Sequence, residues 1–183
     1  EVQCGIGRTG KWFAHQWADI IPDVMPLAKG LGGGVPIGAV VAKGAAATVL
    51  GPGNHGSTFG GNPLAMRAAL EVLAVMQEDN LLDNALACGA IISNGLSKAL
   101  AGVDGVVQIR GRGLMIGIEL DRPCAALVDM ARQAGLLINV TGEKVVRLLP
   151  PLIFTSSQAQ QLVEILSPLM IQFLTSSPGA KAA

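Results

Sequence analysis

Apolar positions follow two rhythms along this chain, and the change between them marks its elements. Over residues 23–42 two short apolar runs flank the loop Lys29-Gly30-Leu31-Gly32-Gly33-Gly34-Val35-Pro36, and the second run, residues 37–42, has the length and continuity of a buried strand. Residues 51–63 then hold five glycines and two prolines, a composition that excludes regular structure. From Pro63 the spacing becomes helical through Met66, Leu70, Leu73 and Met76, with Asn62 placed to cap and proline at the first helical position. A second helix follows Asp79-Asn80, its apolar stripe predicted at Leu82, Leu86, Ile92, Leu96 and Leu100 and interrupted once at Gly89.

Past Gly102 the period shortens again. Strands are predicted over 106–109, 114–120, 136–140 and 145–149, with a helix over 124–133 between them. A last helix over 157–174 carries Leu162, Ile165, Leu166, Leu169 and Phe173 on one face. The expected organisation is a large-domain portion over 1–79, a connecting helix over 80–101, a small α/β domain over 102–175 and a small, polar, mobile tail over 176–183.

Composition narrows the function. Half of the 183 residues are apolar, enough for a packed body, while the formal charge is zero and the basic residues are scattered. Neither nucleic acid nor an anionic membrane is an expected partner, and a small molecule is. Every apolar stretch is cut before it reaches the roughly 18 to 20 residues that a membrane span needs, so a soluble, cytoplasmic protein is expected. Cys4, Cys88 and Cys124 are odd in number and widely spaced, which favours reduced, packed thiols. No metal is expected, since His15 and His55 have no second ligand type at metal spacing. The chain opens on Glu1-Val2-Gln3 without a methionine, and we take it as a fragment.

Several residues are candidates for chemistry. Lys29 stands just before Gly-Leu-Gly-Gly-Gly, where the backbone can pass close to a ligand, and partial burial would lower an amine's pKa enough to make it a nucleophile. Spacing alone favours a surface lysine beside a loop, since glycine-rich loops next to a lysine are common. Ser57 and Thr58 sit where backbone N–H groups can converge on a phosphate, or where hydroxyls serve ordinary turns. Arg147 lies inside an apolar strand, where a charge is costly unless it is paired or faces a cleft; it is either a carboxylate ligand or an outward-pointing edge-strand arginine. Arg110 and Arg112 read as outward charges at a turn, and Glu119 and Asp121 as solvated positions on one strand.

Five ordered segments resemble the class III, ornithine-type, aminotransferases, most closely their acetylornithine branch. They are Glu1-Val2-Gln3 through Gly10, Pro22-Asp23-Val24 leading to Lys29-Gly30-Leu31-Gly32-Gly33-Gly34, His55-Gly56-Ser57-Thr58-Phe59-Gly60-Gly61-Asn62-Pro63, Arg110-Gly111-Arg112-Gly113-Leu114-Met115, and Val146-Arg147-Leu148-Leu149-Pro150-Pro151. The resemblance implies an α/β fold of type I, with part of the large domain's parallel sheet followed by a small carboxy-terminal α/β domain. It also implies pyridoxal 5'-phosphate as cofactor, held as a Schiff base on Lys29, which then shuttles the proton between substrate Cα and cofactor C4′. Gln3 matches the glutamine beside the cofactor's phenolic oxygen, and Thr58, next to Ser57, matches the threonine that reaches the phosphate across a homodimer interface. Arg147 matches the arginine for the substrate's α-carboxylate. The implied reaction moves the terminal amino group of N-acetylornithine to 2-oxoglutarate in arginine biosynthesis; succinylornithine, ornithine or 4-aminobutyrate are alternative donors. The family's aspartate for the pyridine nitrogen would stand immediately before Glu1, so the 183 residues alone are expected to be inactive, and a non-catalytic fragment is the competing reading. A nucleotide binder is a weaker one, because the glycines lack the G-x-G-x-x-G order.

Overall fold

The computed structural model describes residues 1–176 and divides the chain into two compact units, Glu1–Asp83 and the part from Asn84 onward. The tail expected over 176–183 lies outside the described residues from 177 on.

In the first unit, strands β1 (Val24–Ala28) and β2 (Gly38–Ala42) pair antiparallel, from Val24↔Ala42 to Ala28↔Gly38. The parallel sheet expected here is therefore not formed among the described residues. Only residues 29–37 join the two strands, fewer than the dozen or more that a parallel crossover needs, and Gly33 (φ 58°) and Gly34 (φ 107°) turn the chain back on itself. Helix α1 (Pro63–Glu78) begins where cap and proline predict it: the Asn62 side chain accepts the Ala65 N–H at 3.0 Å. Ala65 and Met76 are buried, whereas Met66 and Leu70 of the predicted stripe are exposed, as are Val40, Val41 and Phe59.

The second unit takes most of helix α2 (Leu81–Ala99), then β3 (Val106–Arg112), β4 (Met115–Leu120), α3 (Ala126–Gln133), β5 (Asn139–Thr141), β6 (Val145–Leu148) and α4 (Ser156–Ser176). Its sheet is antiparallel throughout, in the order β3-β4-β6-β5. Alternate residues of β4 (Ile116, Ile118, Leu120) and β6 (Val146, Leu148) enter one core with the buried faces of α2, α3 and α4. The helix expected to connect two bodies is thus part of that core. Its buried stripe runs through Ala85, Cys88, Ile92 and Leu96, and Leu86 is exposed. Small residues take the first half of the stripe because α2 there approaches the sheet's turn closely: a Cβ on Gly89 would lie 2.1 Å from the Gly113 carbonyl oxygen.

Candidate active site

Lys29 directly follows β1 and starts the single 3-10 turn Lys29–Gly32. Its φ is 46°, the left-handed region that costs a residue with a Cβ about 1–2 kcal/mol. Strain of this kind persists only where surrounding structure imposes it. Here the surroundings are tight. A Cβ on Gly32 would lie 2.8 Å from Ile37 Cγ2, one on Gly33 2.9 Å from Val72 Cγ2 of α1, and one on Gly30 3.8 Å from Ile6. The glycines after Lys29 therefore serve packing between α1, Ile37 and the amino-terminal segment, and Lys29 itself is exposed, so the partial burial expected for it is not found among the described residues.

Ile6 belongs to the segment that carries Gln3, so Gln3's loop and the Lys29 turn share one region of the first unit. Gln3 is half-buried within a turn closed by the Gly5 N–H on the Glu1 carbonyl at 3.0 Å. The Glu1 carboxylate fixes that turn to the 3-10 helix Ala14–Trp17, accepting the N–H groups of Ala14 (2.9 Å) and His15 (2.8 Å) and the Cys4 thiol (3.1 Å). Burial alone would raise the Glu1 carboxyl's pKa; the donors on Ala14, His15 and Cys4 reverse this and hold it below the ordinary value. The Cys4 thiol moves up, through burial first and then the bond to Glu1. No local sequence signal marked Glu1, whose backbone donors stand 13 and 14 residues away. His15 is occupied structurally, with Nδ1 2.7 Å from the Ile20 carbonyl and its ring stacked on Phe13.

Ser57 lines a cavity of about 240 Å³ together with Pro36, Gly38, Gly60 and Asn62, at the N-terminus of α1. Its Oγ accepts the Gly60 N–H at 3.0 Å, the turn chemistry that its sequence context allowed. Thr58 is exposed in the same loop. Asn62 holds the loop from below, with Nδ2 donating to the Phe59 carbonyl at 2.8 Å.

Arg147 stands in the second unit, on β6, an interior strand between β4 and β5, so the edge-strand alternative does not apply. Gly117 and Asn139 flank it in register, and it shares the sheet face opposite Val146 and Leu148. Among the described residues its Nε is buried without a hydrogen-bond partner. A buried N–H left unmade costs about 1–3 kcal/mol, so this guanidinium is built to receive an acceptor. Along the same row Arg110 pairs with Glu119 and donates to Gln108 at 2.9 Å, an exposed pair, and just past β4 the exposed Asp121 pairs with the half-buried Arg122 at 2.6 Å. Among the described residues no three His, Cys, Asp or Glu side chains are grouped to hold a metal ion.

Comparison with known proteins decides the family. The model of the class-III aminotransferases matches residues 1–170. This chain belongs to the class III aminotransferases. It is 63% identical over 174 residues to acetylornithine aminotransferase 1 of Bordetella bronchiseptica, covering 95% of this chain and 44% of that protein. Among solved structures, the acetylornithine aminotransferase of Elizabethkingia anophelis is similar at a TM-score of 0.87 and 37% identity, over 94% of this chain and 45% of that one. The ornithine aminotransferase of Toxoplasma gondii reaches a TM-score of 0.91 at 35% identity, over 97% and 43%. The chain thus spans less than half the length of these relatives, and its fold is that of the corresponding part of a class III aminotransferase. Class III aminotransferases are pyridoxal-phosphate enzymes. Within the first unit the donor types suit such a group: the Lys29 amine, the Gln3 amide and, beside the N-terminus of α1, the Ser57 and Thr58 hydroxyls.

Proposed function

We propose that the chain is part of an acetylornithine-type aminotransferase, a cytoplasmic homodimer that moves the terminal amino group of N-acetylornithine to 2-oxoglutarate in arginine biosynthesis. The observation that carries this reading is the lysine held at φ 46° at the mouth of a glycine turn, in a chain 63% identical to an acetylornithine aminotransferase.

When bound, pyridoxal phosphate supplies the electron sink that stabilises negative charge on the carbon bearing the amino group. Lys29 Nζ would hold the cofactor covalently and, as a free amine, would be the base and acid that moves the proton of that carbon. Its backbone cannot drift, because β1 ends on the residue before it and Gly32 and Gly33 are wedged behind it. Gln3 offers an amide beside the ring's phenolic oxygen. Ser57 and Thr58 present hydroxyls to the phosphate, Thr58 across the dimer interface. Arg147 binds substrate carboxylate through a planar fork that is one acceptor short within its own unit. Among the described residues no helix is long and apolar enough to cross a membrane.

Borohydride reduction of the full-length protein loaded with pyridoxal phosphate, followed by mapping of the modified peptide, tests the assignment. The label is expected on Lys29 alone and lost in Lys29→Ala; label persisting in that variant refutes it. Comparing N-acetylornithine with ornithine as donors tests the branch, with the higher kcat/KM expected for the acetylated substrate.

A further inference from the structure

The loop that follows β6 is held by its own turn, in which the Phe154 N–H donates to the Pro151 carbonyl at 3.0 Å, and by donors from α2. Beyond the end of β6 at Leu148 the chain runs through Leu149 to Pro150 and Pro151, and neither proline has an N–H. The following loop is tied from outside as well. Asn84, in the first turn of α2, donates its Nδ2 to the carbonyls of both Leu152 (2.7 Å) and Phe154 (2.9 Å). One helical turn on, the Cys88 thiol points to the same Phe154 carbonyl at 3.1 Å. Because both partners of Asn84 are acceptors, only its NH₂ can serve them, so the orientation of the amide is fixed by chemistry.

We propose that Asn84 is a positioning residue for Arg147, setting the exit of β6 and with it the placement of the guanidinium for carboxylate. The inference rests on the reading of Arg147 as the carboxylate ligand and adds to it the group that holds it in place. At its start β6 is fixed by pairing, Thr141↔Val145 with β5 and Glu119↔Val145 with β4. Pairing runs on through Arg147 and Leu148, and the loop that leaves the strand is held by the double donation from Asn84. Arg147 itself contributes no bond through Nε within the chain, so its aim depends on the backbone beneath it. Asn84 is anchored in turn, since Cys88, Ile92 and Leu96 of the same helix are fully buried under β4 and β6.

The test measures steady-state kinetics for both substrates in the full-length holoenzyme carrying Asn84→Asp or Asn84→Leu, changes that keep the size and remove both donations. KM for amino donor and keto acceptor is expected to rise about tenfold together, with kcat within about twofold of the parent, as for lost uniform binding. Met130→Ala, in α3 of the same core, is the control for general loosening: it is expected to lower the melting temperature and leave both KM values unchanged. Unchanged KM values in folded Asn84 variants overturn the proposal, and so does an equal rise in Met130→Ala. Should the Asn84 variants not fold, Cys88→Ala decides: a two- to threefold rise in both KM values supports the proposal, and parent values overturn it. Arg147→Ala separates the two levels. If it leaves both KM values unchanged, the carboxylate reading itself fails and the positioning role falls with it; if only Arg147→Ala raises them, the positioning role alone fails.

Discussion

Gly89 in α2 lies against Gly113 at the turn between β3 and β4, so close that a Cβ on Gly89 would stand 2.1 Å from the Gly113 carbonyl oxygen. The obstacle is backbone, which cannot swing aside as a flexible side chain would. Gly89→Ala is expected to destabilise the second unit by about 1–3 kcal/mol, the usual cost of overpacking. Urea unfolding of parent and variant measures it; equal midpoints would mean that the helix and the turn do not meet so closely in solution.

Lys29 occupies a backbone conformation that glycine adopts freely. Replacing it by glycine relieves about 1–2 kcal/mol of strain against a backbone entropy cost of about 0.5–1 kcal/mol, whereas alanine keeps the offending Cβ. Without cofactor, Lys29→Gly is expected to melt at or above the parent temperature and above Lys29→Ala, while both variants lose covalent cofactor attachment. A lower melting temperature for the glycine variant would count against a strained lysine.

A similar trade is expected at Arg147. Methionine has a comparable length and no donor, so Arg147→Met removes the buried N–H that has no partner and should raise the stability of the ligand-free protein by about 1 kcal/mol. The same change should raise KM for amino donor and keto acceptor about 10- to 100-fold, the worth of hydrogen bonds to a charged group. Calorimetry without substrate and kinetics with it read the two effects separately.

Glu1 gives a pH dependence of defined sign. Its carboxyl titrates lower in the folded chain than in the unfolded one, because the N–H groups of Ala14 and His15 and the Cys4 thiol outweigh the desolvation that opposes them. A depressed carboxyl contributes stability that is fully present above the unfolded pKa and is lost as pH falls through the folded one. Glu1→Gln has no such titration. The gap in melting temperature between parent and variant is therefore expected to be widest near neutrality and to close on acidification; a gap independent of pH would exclude the carboxylate as its source.

Much of this was legible in the sequence wherever the cause is local. The start of α1 could be read because Asn62, Pro63 and the glycines before them act within a few residues. The alternation of β4 and β6 could be read because one face of the sheet is buried and the other is not. Pairing direction could not, since it depends on what residues 29–37 do in space, and the expected parallel strands proved to be a hairpin. The stripe of α2 was misjudged over its first half, where Ala85, Cys88 and Gly89 are chosen for closeness rather than apolar bulk. Lys29 stood out only through the family resemblance, its spacing favouring a surface lysine, whereas Arg147 was visible as a charge inside an apolar strand. The roles of the Glu1 carboxylate and the Asn84 amide were not visible, because the backbone groups they bind lie 13 to 70 residues away.

The hairpin beneath Lys29 also bears on affinity. With Ala28 paired to Gly38, the ends of the loop over 29–37 are already joined before any ligand arrives. The entropy of closing that loop is spent in folding, and binding has only the four side-chain torsions of one lysine left to freeze. A glycine-rich segment, ordinarily the most expensive kind of chain to order, thus becomes a scaffold with little disorder left to lose.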